Sequence, residues 1–282
     1  KVIKSVKKMQ QLSAGLHRKG RVIGLIPTMG YLHKGHLSLV KRSKKNTDVT
    51  IVSIFVNPTQ FGPSEDFVKY PRNIRQDLRL LKEEGVDFVF IPDAESIYPA
   101  DFQTYVTVEN VTKILEGSAR PVHFRGVTTV VSILFNIVNP DYSYFGQKDA
   151  QQAFIIRQMA KDLKFNIKIT VAPIVREPDG LALSSRNVYL SGNERSDALI
   201  INRSLRFAGN LVNNNVTDVA KILTGMRRLI NDVKSSELDY VSIVEADSFT
   251  PVTKLVKGRK YYILVACRIG RTRLIDNITV KI

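Results

Sequence analysis

Residues Pro27-Thr28-Met29-Gly30-Tyr31-Leu32-His33-Lys34-Gly35-His36 put two imidazoles three positions apart on a glycine-flanked turn, directly after the apolar run 22–26. A turn that ends a strand exposes backbone N–H groups at the start of the following helix. Those donors, with the positive end of the helix dipole, favour an anion. Gly30 and Gly35 let the main chain approach a ligand closely, and a helix starting near residue 34 would aim His33 and His36 into one mouth. The chemistry this suits is the handling of phosphate oxygens. A lone histidine is more often a surface or capping residue; the pair on this turn favours the anion reading.

Three further clusters carry usable groups. Phe55-Val56-Asn57-Pro58-Thr59-Gln60-Phe61-Gly62 places the neutral amides of Asn57 and Gln60 just past a second strand, suited to the hydroxyls or carboxylate of a small polar ligand. A plain Asn-Pro turn explains the same residues. Tyr144-Phe145-Gly146-Gln147-Lys148-Asp149, followed by Gln151-Gln152, sets an ammonium and a carboxylate at a strand-to-helix junction. Lys148 suits charge developing on a phosphate and Asp149 a ribose hydroxyl, although a Lys-Asp pair is also common in surface turns. Gly180-Leu181-Ala182-Leu183-Ser184-Ser185-Arg186-Asn187 is a small-residue loop able to wrap polyphosphate oxygens, or equally an interdomain linker capped by serine.

The elements that must position these groups read as β-branched runs alternating with helical patterns from residue 20 to 176, the signature of βαβ units and a parallel sheet. Strands are expected at 22–26, 50–56, 88–91, 143–145 and 167–175, and helices at 36–46, 73–84, 127–139 and 150–164. The irregular, Pro- and Gly-rich segments 62–72 and 93–125 belong over the carboxyl edge of such a sheet, where ligand loops gather. Beyond residue 187 the pattern becomes two long amphipathic helices, 192–213 and 216–236, then strands at 240–245, 261–268 and 272–281, a smaller α+β arrangement. A chain of 282 residues has room for two domains.

Hydrophobic residues are 44% and charged residues 24%, ordinary globular values. The longest apolar stretch, 127–138, is interrupted by Thr128, Thr129, Ser132 and Asn136 and reads as a buried helix, not a membrane span. One cysteine, Cys267, allows no internal disulfide, and Lys1-Val2-Ile3-Lys4-Ser5 opens without the pattern of a secretory leader, so the cytoplasm is the expected compartment. The net charge of +16 invites nucleic acid as a partner, but the basic residues are spread over helices with acids interleaved and no arginine-rich tail. A solvated surface that steers small anions fits better.

Taken together the segments resemble a known family. Pro27 to Gly30 and His33 to His36 are similar to the HxGH signature of the nucleotidylyltransferase superfamily. The wider set is Ser53 to Phe61, Tyr70-Pro71-Arg72, Arg120 to Val127, Phe145 to Asp149, Val175-Arg176-Glu177, Leu183 to Asn187 and, more weakly, Arg273 to Asn277. It resembles the pantoate–β-alanine ligase family over nearly the whole chain. The resemblance implies a Rossmann-like doubly wound parallel sheet, residues 1–176, that binds nucleotide and pantoate, with a smaller C-terminal α+β lid domain, residues 177–282. It implies an ATP-dependent ligase: ATP and pantoate give pantoyl adenylate and pyrophosphate, then the β-alanine amine displaces AMP to give pantothenate.

By the same resemblance ATP is bound by Met29, Gly30, Tyr31, Leu32, His33, Lys34, Gly35 and His36, by Gly146, Gln147, Lys148 and Asp149, and by Val175, Leu183, Ser184, Ser185 and Arg186. His36, His33 and Lys148 take the catalytic roles, with His36 as proton donor and protonated or nearly so. Gln60, Gln152 and Asn57 bind pantoate, with Gln60 also near β-alanine. Mg²⁺ is expected to come with the phosphates rather than at a dedicated protein site, Asp77 being an outer contact. A homodimer is expected, with no nucleic acid or membrane as partner. Three positions depart from the family pattern: Tyr31 where a smaller residue is frequent, Val122 in place of glycine and Gln147 in place of glutamate.

Rival readings make different demands. An HxGH enzyme with a phosphorylated acceptor needs a cationic acceptor pocket, whereas this chain offers the amides of Asn57, Gln60 and Gln152. A class I tRNA synthetase needs a lysine-rich second signature and an anticodon-reading domain, whereas Leu183-Ser184-Ser185-Arg186 occupies that loop. A basic RNA-binding protein on the same fold predicts RNA affinity that falls steeply with salt and no ATP turnover.

Overall fold

The structure, a computed structural model, describes residues 1–63 and 65–282. The chain runs β1 (Val2–Ile3), α1 (Val6–Arg18), β2 (Ile23–Thr28), α2 (Lys34–Asn46), β3 (Val49–Ile54), α3 (Ile74–Glu83) and β4 (Phe88–Phe90). It continues through short helices α4 (Ala94–Ile97) and α5 (Glu116–Ala119) to α6 (His123–Val138), β5 (Tyr142–Gly146), α7 (Ala150–Asp162) and β6 (Lys168–Ala172). The remainder is α8 (Gly192–Asp197), α9 (Leu199–Asn213), α10 (Val219–Asn231), β7 (Ser236–Glu245), β8 (Lys260–Ile269) and β9 (Thr272–Lys281). These elements form two compact units: residues Lys1–Gln147 with Gln151–Pro173, and Lys148–Ala150 with Ile174–Ile282.

In the first unit six parallel strands lie in the order β1-β4-β3-β2-β5-β6. From β2 the chain winds outward to β3 and β4, then returns to place β5 on the other side. The neighbours β2 and β5 therefore mark the point where the winding reverses, and ligands of such sheets bind in the crevice beyond the strands' carboxyl ends there. The central strands read as continuous apolar runs because both faces are covered: Ile23, Leu25, Ile26 and Ile51 are fully buried. The expected helix at 127–139 is real and starts earlier, at His123, with nearly all of its length buried. No helix among the described residues is long and apolar enough to cross a membrane.

The N-terminal strand and helix were not expected. β1 pairs with β4 at the sheet edge, and α1 starts at Ser5, whose hydroxyl accepts from the Lys8 N–H. Val6, Met9, Leu12 and Leu16 turn to the core at helical spacing, with lysines on the outer face.

The second unit packs α9 and α10 on an antiparallel sheet, β7-β8-β9. The single helix expected over 192–213 is two: α8 ends at Ala198, where α9 begins. The helix expected over 216–236 starts only after Asp218, whose carboxylate caps the N–H groups of Ala220 and Lys221, and it ends at Asn231.

Cys267 is fully buried in β8, and burial pushes its thiol from 9.0 up to about 11. A folded-state pKa raised above the unfolded one means the folded chain holds that proton more tightly, so this contribution is complete below the unfolded value and is lost as pH rises through the folded value. Denaturant unfolding followed across this alkaline window should show stability falling by about 2–3 kcal/mol more in the native chain than in a Cys267→Val variant. Parallel pH profiles would contradict it.

Candidate functional site

The loop leaving β2 is held by groups far along the chain. The Thr28 hydroxyl donates to the Ser53 carbonyl and accepts from the Gly30 N–H, and Gly30 takes a φ of 83° that favours glycine. Tyr31 follows at φ 51°, an uncommon conformation for a side chain of its size. It is held there by Asp77 of α3, whose two carboxylate oxygens accept the N–H groups of Tyr31, at 2.9 Å, and Leu32, at 2.7 Å. Asp77 is 1% exposed, and burial pushes its carboxyl up against the opposing pull of those two N–H groups. Asp77, expected as an outer contact to a phosphate-borne Mg²⁺, has both of its oxygens engaged with the loop itself.

The start of α2 is closed by its own histidines. His33 is the N-cap residue; its Nδ1 accepts the Gly35 N–H at 3.1 Å, and the Nδ1 of His36 accepts the His33 N–H at 3.3 Å. The rings lie against each other with centroids 4.1 Å apart. A nitrogen that accepts carries no proton, so each ring holds its proton on Nε2. The backbone donors of Tyr31, Leu32, His33 and Gly35, expected to meet an anion, are engaged within the protein. Lys34 is exposed beside the two rings.

After β3, Asn57 is buried and its amide is saturated. Nδ2 donates to Gln60 Oε1 and to the Gly126 carbonyl, both at 3.1 Å, while Oδ1 accepts from the hydroxyls of Thr59, at 3.0 Å, and Tyr98, at 2.9 Å. Four partners exhaust its capacity, so Asn57, expected to touch substrate, instead fixes the Pro58–Gln60 turn. Gln60 is 7% exposed and donates from Nε2 to the Met29 sulfur at 3.2 Å, so the structure does bring Met29 and Gln60 together. The Gln60 carbonyl accepts from His123 Nδ1 and from Arg120, which also forms a forked ion pair with Glu65. Val122 stands in ordinary helical backbone, φ −89° and ψ −14°, so glycine is not required there. Gln152 lies half-buried in the first turn of α7, and Gly146 ends β5 with room beside its Cα. Gln147 is half-buried next to it.

The other expected residues belong to the second unit. Lys148 is mostly covered, with Nζ 3.8 Å from the Asp149 carboxylate. Residues 175–183 form a tight hairpin: the Val175 carbonyl accepts the Leu183 N–H, Arg176 bridges to Ala182, and Gly180 makes the turn at φ 100°. Ser184 then caps a 3-10 turn, Ser185–Tyr189, its hydroxyl accepting the Arg186 N–H at 3.2 Å. Ser185 is buried and Arg186 half-buried. The expected set thus divides: Met29 to His36, Asn57, Gln60, Gly146, Gln147 and Gln152 lie in the first unit, and Lys148, Asp149, Val175 and Leu183 to Arg186 in the second.

Among the described residues no three His, Cys, Asp or Glu side chains group so as to hold a metal ion. With Asp77 engaged by the loop, the residues present do not fit a protein-built Mg²⁺ site. The parts played by Asp77 and Arg120 were not legible in the sequence, because each acts on main-chain atoms 45 to 60 positions away.

The first unit is a parallel doubly wound sheet with paired imidazoles at its switch point and the Gln60 amide against Met29, and the second holds the lysine and Ser-Ser-Arg segments, side chains of the kind a small-molecule ligase uses. A family model described as Pantoate-beta-alanine ligase matches residues 1–279. A pantothenate synthetase from Acetivibrio thermocellus is 51% identical over 282 residues, covering 100% of both chains. The solved pantothenate synthetase from Thermus thermophilus superposes with a TM-score of 0.92 at 42% identity, covering 99% of this chain and 98% of that one. A pantoate-beta-alanine ligase from Francisella tularensis, solved in complex with beta-gamma ATP and beta-alanine, gives 0.81 at 36% identity over 98% and 96%. The chain belongs to the pantoate–β-alanine ligase family and is an enzyme of pantothenate formation.

Proposed function

We propose that the chain joins pantoate to β-alanine through a pantoyl adenylate made from ATP. In the first step a pantoate carboxylate oxygen attacks the α-phosphorus in line, the bond from that phosphorus to the β-bridging oxygen breaks, and pyrophosphate leaves. In the second the neutral β-alanine amine attacks the acyl carbon, the acyl–phosphate bond breaks, AMP leaves and the amine sheds its proton. The work of the protein is positioning and the stabilisation of charge on phosphate oxygens.

The observation that carries the reading is the His33–His36 pair, with both Nδ1 atoms turned to the backbone so that the rings donate through Nε2. In this reading both hydrogen-bond phosphate oxygens along the Met29–His36 loop. Lys148 meets the charge on the α-phosphate, Ser184, Ser185 and Arg186 hold the departing pyrophosphate, and Gly146, Asp149 and Val175 hold the adenosine. Gln60 and Gln152 bind pantoate, with Asn57 fixing Gln60. Mg²⁺ enters as the counter-ion of the polyphosphate. The ligands of the Francisella relative support ATP and β-alanine as substrates. Residues 177–282 act as the lid that keeps water from the acyl adenylate, and the enzyme works as a cytoplasmic homodimer.

Labelled pyrophosphate should exchange into ATP when pantoate and Mg²⁺ are present and β-alanine is not. Folded, ATP-binding protein that shows no pantoate-dependent exchange would sink the two-step reading. RNA affinity that falls steeply with salt would then favour the RNA-binding alternative.

A further inference from the structure

The strand β9 carries two adjacent buried polar residues, Asp276 and Asn277, that the chemistry above does not use. Asn277 is fully buried, and its Nδ2 donates to the Lys148 carbonyl at 3.1 Å. Its own N–H goes to Asp276 Oδ1 at 2.7 Å. Asp276, 3% exposed, takes a two-pronged hydrogen bond from Arg176, at 2.6 Å and 2.9 Å. Arg176 donates further to the Gly180 carbonyl at 3.0 Å and the Asn277 carbonyl at 3.3 Å. The guanidinium thus ties β9 to the 175–183 hairpin, and β9 also lies against the Ser185–Tyr189 turn.

We propose that Asn277 is a positioning residue for Lys148, and that through Asp276 and Arg176 the same anchor sets the Leu183–Arg186 loop, so that two phosphate-binding segments share one footing on β9. The two segments are separated by some 35 positions of sequence and share no backbone pairing. A buried amide aimed at one carbonyl and a planar fork aimed at a carboxylate and two carbonyls leave few rotamers for either segment, and such fixed geometry is what charge stabilisation requires. Removing the amide leaves the ammonium in place but frees its main chain, so the loss should fall on turnover. The proposal rests on Lys148 acting at the transferred phosphate.

The test uses the full-length chain with Asn277→Ala. Hydrogen–deuterium exchange should rise in peptides covering 146–151 and, through the shared anchor, 176–187, while the β7–β8 pair keeps its protection. Unchanged uptake at 146–151 would overturn the anchor, whatever the enzyme does. In pyrophosphate exchange the turnover should fall by about 10–100-fold with little change in the KM for ATP. Combined with Lys148→Ala, the same substitution should lower the residual rate by less than about twofold, since both changes remove one function. Equal losses in both backgrounds would mark a merely structural role and overturn the proposal. A native enzyme without exchange would overturn the functional reading and, with it, the catalytic half of this one. The deuterium uptake would still decide whether Asn277 holds Lys148.

Discussion

Lys148→Ala is expected to lower pantoate-dependent pyrophosphate exchange by about 10²–10³-fold, the loss typical of removing one preorganised charge donor from a transition state. The substitution is clean. The backbone of residue 148 stays tied to Asn277 through its carbonyl; the side chain pairs with Asp149, at 3.8 Å and half exposed, an ion pair of small structural value, and is a lesser charge beside Asp276, whose direct partner Arg176 remains. Thermal unfolding should therefore shift by no more than about 2 °C. Arginine should rescue poorly, because a planar fork does not reproduce a compact ammonium at one phosphate oxygen. Exchange within about threefold of the native rate would remove Lys148 from the chemistry.

Gly126→Ala should cost substantial stability at the turn that carries Gln60. A Cβ there would meet the Thr59 carbonyl oxygen at 2.4 Å and the Gln60 nitrogen at 2.5 Å. Both are main-chain atoms of the turn that Asn57 fixes, so no flexible side chain can yield, and α6 must move away from the turn. Overpacking of this kind costs about 2–3 kcal/mol, or about 5–10 °C in Tm for a chain of this size. The Gln60 amide moves with its backbone, so the KM for pantoate should rise along with the loss. Gly192→Ala, whose added Cβ meets nothing within 4 Å, serves as the control and should change stability by less than about 0.5 kcal/mol. A Gly126→Ala enzyme with native Tm and KM would show that α6 does not set the turn.

What could be read from the chain alone follows from where its information is local. The βαβ alternation is local, since each buried parallel strand must be a β-branched run, and the five strands expected before residue 176 all form with ends shifted by no more than three positions. The His33–His36 spacing is local too, because a helix beginning at Lys34 brings i and i+3 together. The signal for α1 was also present, in Ser5 as a cap and in Val6, Met9, Leu12 and Leu16 at helical spacing. Asn57 could not have been resolved without three dimensions, because Tyr98 and Gly126 saturate its amide from distant segments. The same holds for Asp77, expected as an outer contact to Mg²⁺, whose partners are amides of the histidine loop.

The three residues Lys148–Ala150 pack with the second unit although the chain on both sides of them belongs to the first. Modularity is therefore unavailable to this protein. Expressing residues 1–173 alone would strand Lys148 without Asn277, and expressing 174–282 alone would keep the anchor and lose what it anchors. A cut or graft at residue 173 therefore separates Lys148 from the amide that holds its carbonyl.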